Sequence, residues 1–364
     1  MQDSETGHGG KMKALIAMSG GVDSSVAAKL TLDRGYECVG CTMKLYHNED
    51  AGISREHTCC SLDDVEDARR VALMLGIPYY VFNFSSDFQE KVIQKFIGCY
   101  QKGFTPNPCI DCNRYMKFGK LFERADILGC DYIVTGHYAR IEFDGQRYLL
   151  KKAADASKDQ SYVLYAMTQK ELSRTLFPLG GLSKSEVRQR AEENGFLNAD
   201  KPDSQDICFV PNGDYASVIE LHTGQKSLPG HFVDRDGNVL GTHRGIIHYT
   251  IGQRKGLGLS LPRPLYVCKI CPQDNTVVLG EAEELFCAEA DVSDFNWICG
   301  TAPQKPFRCH AKVRYRQPEQ PATVIPVDDR NVHIIFDNPQ RAITPGQAAV
   351  LYDGDVVLGG GTIN

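Results

Sequence analysis

Ser19-Gly20-Gly21-Val22-Asp23-Ser24-Ser25 (SGGVDSS) follows the short apolar run Lys13–Ala17 (KALIA), with Met18 between them, and precedes a stretch of helical spacing. A Gly-rich turn between a buried strand and a helix is where an open parallel sheet holds its ligand, beyond the carboxyl ends of the strands. Glycine lets the backbone approach a phosphate closely, the hydroxyls of Ser19, Ser24 and Ser25 can donate to it, and the helix N-terminus adds partial positive charge. No Gly-x-x-x-x-Gly-Lys-Ser/Thr occurs, so this is not a Walker loop. Asp23 is badly placed beside bare phosphates but well placed to hold Mg2+. In a purely structural turn it would cap the helix instead.

Outward from the loop, strand and helix alternate. A helix is expected from Asp23 to about Arg34, stopped by Gly35, and a second buried strand over Cys38–Met43. Leu62–Leu75 has apolar residues at helical spacing before Gly76. Pro78–Phe84 reads as a third strand, Phe88–Tyr100 and Tyr115–Leu128 as helices, and Tyr132–Thr135 as a strand ending at Gly136-His137. This pattern predicts a doubly wound α/β parallel sheet with helices on both faces. After Pro211 the rhythm changes to short β runs punctuated by Gly, Pro, Asp and Asn. The expected division is residues 1–211 as a nucleotide-binding domain, 212–284 as a small β-rich domain, and 285–364 as a C-terminal β-barrel.

The chain has 364 residues and a formal net charge of -6, which argues mildly against a nucleic-acid partner unless one face is locally basic. No apolar stretch approaches the roughly 20 residues that span a bilayer, so no membrane partner is expected. Residues 1–11 read as a disordered leader without signal-peptide character, which points to a cytoplasmic protein. In that compartment most of the 14 cysteines should be reduced, buried and inert. Cys59-Cys60 and Cys268-x-x-Cys271 are taken as structural.

Three polar stretches stand apart. Thr105-Pro106-Asn107-Pro108-Cys109-Ile110-Asp111-Cys112-Asn113 precedes Lys117-Phe118; its prolines predict a rigid irregular loop, with Cys112 just before a helix whose first turn could lower a thiol pKa. Asp203-Ser204-Gln205-Asp206-Ile207-Cys208-Phe209 puts a lone cysteine at the end of the α/β region. Lys158-Asp159-Gln160-Ser161-Tyr162 opens a helical segment.

SGGVDSS resembles the PP-loop of the ATP pyrophosphatases, which cleave ATP between its α- and β-phosphates. Taken with GHYAR (Gly136–Arg140), GQRKGLG (Gly252–Gly258), RYRQ (Arg314–Gln317) and TPGQAAVLYDGD (Thr344–Asp355), the chain from about Lys13 to its last residue is similar to the tRNA-specific 2-thiouridylases (the MnmA/TrmU family). The resemblance implies that the 2-carbonyl oxygen of a wobble uridine attacks the α-phosphate. A persulfide on Cys208 then delivers sulfur with loss of AMP, and Cys112 attacks the persulfide to leave a Cys112–Cys208 disulfide that needs reduction. It further implies ATP contacts from Ala17 through Ser25, from Met43 and from Gly136. Contacts to tRNA are implied for Asn107, Pro108, Cys109, His137, Lys158, Asp159, Gln160, Arg254, Lys255, Arg314, Tyr315 and Gln347.

One departure matters. Where some members have Asn-Pro-Asp, this chain has Asn107-Pro108-Cys109, so an Asp general base is missing there and Asp111 is the substitute to consider. The change also creates a triad of Cys109, Cys112 and Cys208 that could ligate a 4Fe-4S cluster with one open iron. Expected partners are tRNAs for Lys, Glu and Gln and a cysteine desulfurase or sulfur-carrier protein, with a monomer as the default state. The competing readings are a small-molecule PP-loop enzyme such as argininosuccinate synthetase, and a non-catalytic RNA- or metal-binding module.

Overall fold

The computed structural model describes residues 11–46, 62–202, 207–210, 213–260 and 262–364. Most of the leader, Cys59-Cys60 and Asp203–Asp206 lie outside the described residues. The first seven strands are β1 (Lys13–Ala17), β2 (Glu37–Lys44), β3 (Tyr79–Asn83), β4 (Tyr132–Val134), β5 (Ala139–Phe143), β6 (Tyr148–Lys152) and β7 (Thr175–Leu176). Five form a parallel sheet of order β3-β2-β1-β4-β7. Ala14, Leu15 and Ile16 of β1 are wholly buried, as a strand covered on both faces requires. With β2 on one side and β4 on the other, β1 marks the point where the strand order reverses, and its carboxyl end opens the crevice. The helix Val22–Asp33 starts there, sinking Val22, Val26, Ala27 and Ala28 into the core.

The cysteine loop folds differently from its sequence-based expectation. The helix begins at Pro108, seven residues before Tyr115, and runs through a π-helical stretch Cys112–Lys120 into Leu121–Ile127. Proline at the first helical position loses only an N–H that has no partner anyway, and the Asn107 side chain caps the helix by accepting from the Cys109 N–H at 3.2 Å. Pro108 therefore starts the helix. A helix at Lys184–Glu193, opened by a Ser183/Glu186 capping box, and one at Tyr215–Thr223 were not expected from the sequence.

Strands β8 (Gly230–Val233), β9 (Val239–His243), β10 (Tyr266–Cys271) and β11 (Thr276–Gly280) form the small middle sheet around Phe232, Val267, Val277 and Leu279. Strands β12 (Phe286–Trp297), β13 (Phe307–Lys312), β14 (Gln320–Pro326), β15 (Val332–Arg341), β16 (Ala348–Asp353) and β17 (Val356–Ile363) close into a barrel through the β12–β17 pairing. The β5–β6 hairpin, which departs from the end of the nucleotide sheet, joins the barrel's sheet by Val356 opposite Lys151. At another point the Thr105 N–H donates to Pro345 O at 2.9 Å and Gln347 Nε2 donates to Thr105 O at 2.7 Å, so the barrel holds the base of the cysteine helix. Among the described residues no helix is long and apolar enough to cross a membrane.

Candidate active site

Two cavities meet at the Gly-rich loop. The first, about 380 Å3, is lined by Met18, Ser19, Asp23 and Ser24 of the loop, by Met43, by Cys109, Cys112 and Lys117, by Gly136 and His137, and by Cys208. The second, about 950 Å3, is a groove from Ser19, Gly21 and Asp23 across Lys158, Asp159 and Gln160 to Lys312, Tyr315 and Arg316 of the barrel.

The loop is wired from within. Ser24 Oγ donates to Gly21 O at 2.9 Å and Ser25 Oγ to the same carbonyl at 3.1 Å. Buried Asn198 donates to Gly20 O and to Ser25 Oγ, each at 2.9 Å. Ser25 is thus a strut of the loop, while Ser19 remains exposed at the mouth of both cavities. Asp23 accepts from Tyr138 Oη at 2.7 Å, and Lys184 Nζ donates to both its oxygens at 2.7 and 2.9 Å. For Asp23 to hold Mg2+, the Lys184 ammonium must give way. Gly136 is obligatory at its place: a Cβ there would lie 2.9 Å from both Asp23 C and Ser24 N, the first turn of the loop's helix.

The thiols come together from distant stretches. Cys109 is exposed, and Cys112 and Cys208 are half-buried on the shared cavity. The Cys208 segment is anchored by Tyr46 Oη, which donates to Cys208 O at 2.6 Å, and by the Phe209 ring packed edge-on against Phe88 and Phe96 at 5.6 and 5.2 Å. Burial pushes the Cys112 thiol up to about 11; Lys117 opposes the rise, and Cys109 and Asp111 reinforce it. This corrects the expectation of a thiol lowered by a helix start, because the helix start lies at Pro108 and Cys112 is already inside it.

Asp111 points its chemistry elsewhere. Its carboxylate is buried against Lys95 Nζ at 2.7 Å, and it does not line the thiol cavity. Burial raises its pKa, with Lys95 pulling back. His137 is buried and held well below its ordinary pKa by desolvation and by Lys117. Lys117 Nζ lies 3.3 Å from His137 Nε2, and Thr135 Oγ1 lies 2.7 Å from Nδ1. An ammonium has nothing to accept with, so Nε2 accepts and Nδ1 carries the proton that it donates to Thr135.

The residues expected to meet RNA divide into groups. Lys158, Asp159, Gln160 and Tyr315 line the groove. Asp159 also organises the backbone, accepting from the Ala153 and Ser161 N–H groups, and Gln160 accepts from the Tyr138 N–H. Asn107 caps the cysteine helix, and Pro108 and Cys109 line the thiol cavity. Arg254 and Lys255 are exposed on the middle domain and line neither cavity. Arg314 is half-buried and donates to Ile251 O and Thr344 Oγ1, a tie between the middle domain and the barrel. Gln347 is half-buried on Thr105.

Sequence reasoning did not single out Lys117, Lys184, Asn198 or Lys312 as site residues. Lys117 follows the quoted cysteine motif by four residues, and Lys184 follows a capping-box serine; the other two carried no signal. Among the described residues no three His, Cys, Asp or Glu side chains gather closely enough to hold a single metal ion, while Cys109, Cys112 and Cys208 all line one cavity.

Comparison with known proteins agrees along the whole chain. A tRNA methyl transferase HUP domain model matches residues 12–212, a tRNA methyl transferase PRC-barrel domain model matches 217–281, and an aminomethyltransferase beta-barrel domain model matches 288–363. A tRNA-specific 2-thiouridylase MnmA of Acetivibrio thermocellus is 51% identical over 97% of this chain and 99% of its own length. One of Symbiobacterium thermophilum is 52% identical over 96% of this chain and 92% of its own length. A 4-thiouridine synthetase–RNA complex with bound ATP aligns with 55% of this chain and 46% of its own at 22% identity and a TM-score of 0.37, too loose to argue from.

Proposed function

The chain belongs to the tRNA-specific 2-thiouridylase family, and on that footing we propose that it replaces the 2-oxygen of the wobble uridine of tRNA by sulfur, at the expense of ATP. The uridine O2 attacks the α-phosphate of ATP, the Pα–O–Pβ bond breaks and pyrophosphate leaves. The base then carries AMP as a leaving group. The terminal sulfur of a Cys208 persulfide attacks C2 and AMP departs. The Cys112 thiolate attacks Cys208 Sγ, releasing the 2-thiouridine and leaving a Cys112–Cys208 disulfide for an external thiol to reduce.

One observation carries this reading: Cys112 and Cys208, remote in sequence, line the same cavity as Ser19, Asp23 and Ser24 of the PP-loop. An enzyme that works on a base must draw it out of its stack into such a space. His137 lines this space with Nε2 engaged by Lys117 and Nδ1 by Thr135, so in this reading it meets the flipped base through its ring and not through a hydrogen bond. In this reading ATP enters with Mg2+, Met43 and Gly136 flank the nucleotide, and Arg254 and Lys255 approach tRNA phosphates. The substrates are tRNAs for Lys, Glu and Gln, the sulfur comes from a cysteine desulfurase or carrier protein, and the enzyme acts as a cytoplasmic monomer. The persulfide route needs only Cys112 and Cys208, and no step is routed through a cluster.

The test is mass spectrometry of wobble nucleosides after incubating unmodified tRNA, ATP and a sulfur source with wild type or Cys208→Ser. The variant should form no 2-thiouridine yet still release pyrophosphate in a tRNA-dependent way. Wild-type yields of 2-thiouridine from Cys208→Ser would sink the persulfide assignment.

A further inference from the structure

The thiol cavity and the groove share Ser19, Asp23 and Gln160, but the groove leaves the loop past walls that hold no cysteine. In an in-line displacement at the α-phosphate the attacking and leaving oxygens stand on opposite sides of phosphorus. If the uridine comes from the thiol cavity, the pyrophosphate must leave away from it. The groove is lined by cations of two domains, Lys152, Lys158 and Lys201 from the nucleotide domain and Lys312 and Arg316 from the barrel, set among Asp64, Asp159 and Glu319.

Lys312 is set apart from Lys152 and Lys201 by its partners, and from the exposed Arg316 by its burial. Lys152 pairs with Glu319 at 2.6 Å and Lys201 with Asp64 at 2.6 Å. The half-buried Lys312 ammonium instead lies over the rings of Tyr162 and Tyr315, 5.7 Å from each centroid, and among the described residues it makes no hydrogen bond or salt bridge. Burial lowers its pKa, against the more distant pull of Asp159 and Glu319 and with help from Lys152. A partly desolvated cation held by two ring faces, on a cavity that reaches the PP-loop, is a place where an incoming anion recovers electrostatic energy that water no longer supplies.

We propose that Lys312 binds the β,γ-pyrophosphate of ATP, so that the C-terminal barrel completes the nucleotide site. The inference rests on the ATP-dependent reading above and adds a ligand from a domain outside the PP-loop fold. It also gives a reason for the barrel to close over the loop: the leaving group is received by a domain that the tRNA engages as well.

The full-length protein is titrated calorimetrically with Mg2+-pyrophosphate, with AMP and with ATP, and tRNA affinity is measured at fixed salt, for wild type, Lys312→Met, Lys312→Gln and Lys312→Arg. Thermal melting checks the fold of each. Lys312→Met and Lys312→Gln should weaken pyrophosphate binding at least about tenfold, the scale of one charge-assisted contact, with AMP affinity unchanged and Lys312→Arg restoring most of the loss. Unaltered pyrophosphate affinity in either folded neutral variant overturns the proposal. A loss confined to tRNA overturns it too, assigning Lys312 to an RNA phosphate. Wild type that binds neither ATP nor pyrophosphate would defeat the nucleotide reading itself, which the variants alone cannot do.

Discussion

Around Cys112 the cavity wall includes Phe88, Val163 and Phe209, and the thiol is pushed up to about 11. Around Lys312, across the same loop, tyrosine faces and the basic side chains of Lys152, Lys158, Lys201 and Arg316 share the wall with Asp64, Asp159 and Glu319, and burial acts on a cation instead. Low-dielectric surroundings disfavour charge in both places, but they do different things. On the thiol side they keep a nucleophile protonated until a substrate or a neighbour such as Lys117 shifts it. On the groove side they sharpen the attraction for an anion. Neither environment belongs to the PP-loop. One is assembled by the helix from Pro108 and the segment at Cys208, the other by the barrel.

The comparison can be broken most severely at Gly136, where the two sides share the loop's helix. Gly136→Ala places a methyl group against backbone that cannot retreat, and ATP affinity should fall at least about tenfold by calorimetry, the size of an overpacking penalty. Wild-type affinity would mean that the close contact has slack and that the nucleotide lies elsewhere.

A smaller effect is expected at Asp294, which receives Arg114 of the cysteine helix at 2.6 Å and also Arg330. Asp294→Ala should slow 2-thiouridine formation several-fold while pyrophosphate release is kept, because only the thiol side loses one of its ties to the barrel. Equal losses in both assays would indicate a general loosening, and no loss in either would show that the tie is dispensable.

The smallest effect is a pH dependence of stability. His137 is lowered well below its ordinary value of 6.5 in the folded chain, so as pH falls the unfolded state takes up the proton first. Its contribution is fully present above about pH 6.5 and is lost progressively below that. Urea midpoints should therefore drop between about pH 7.5 and 5.5, and His137→Gln should flatten part of that slope. An identical slope in the variant would place the acid sensitivity in another group.

Much of the nucleotide domain was legible because its signals are local. β1 is a continuous apolar run, the loop is glycine and serine, and the helix over Val22–Asp33 differs by about one residue from its expected bounds. The start of the cysteine helix was missed because proline reads as a breaker, although at the first helical position it costs nothing. The last strand, Val356–Ile363, was missed because Gly359–Gly361 look like a turn. They are extended there by pairing with β12 and β16, and they are glycine because the Tyr165 ring and the backbone of β12 occupy the space a side chain would need.

By itself the sequence determined the sheet, the PP-loop and the identity of the cysteines, since each depends on residues close together in the chain. Only the tertiary structure decided that Cys112 and Cys208 share one cavity, that Arg314 and Gln347 tie domains together, and that Lys312 reaches a groove opening at the loop. The physical reason is distance along the chain. Burial, charge pairing and desolvation are set by neighbours far along the chain, more than a hundred residues away for Gln347 and Thr105, and they exist only after the domains have packed.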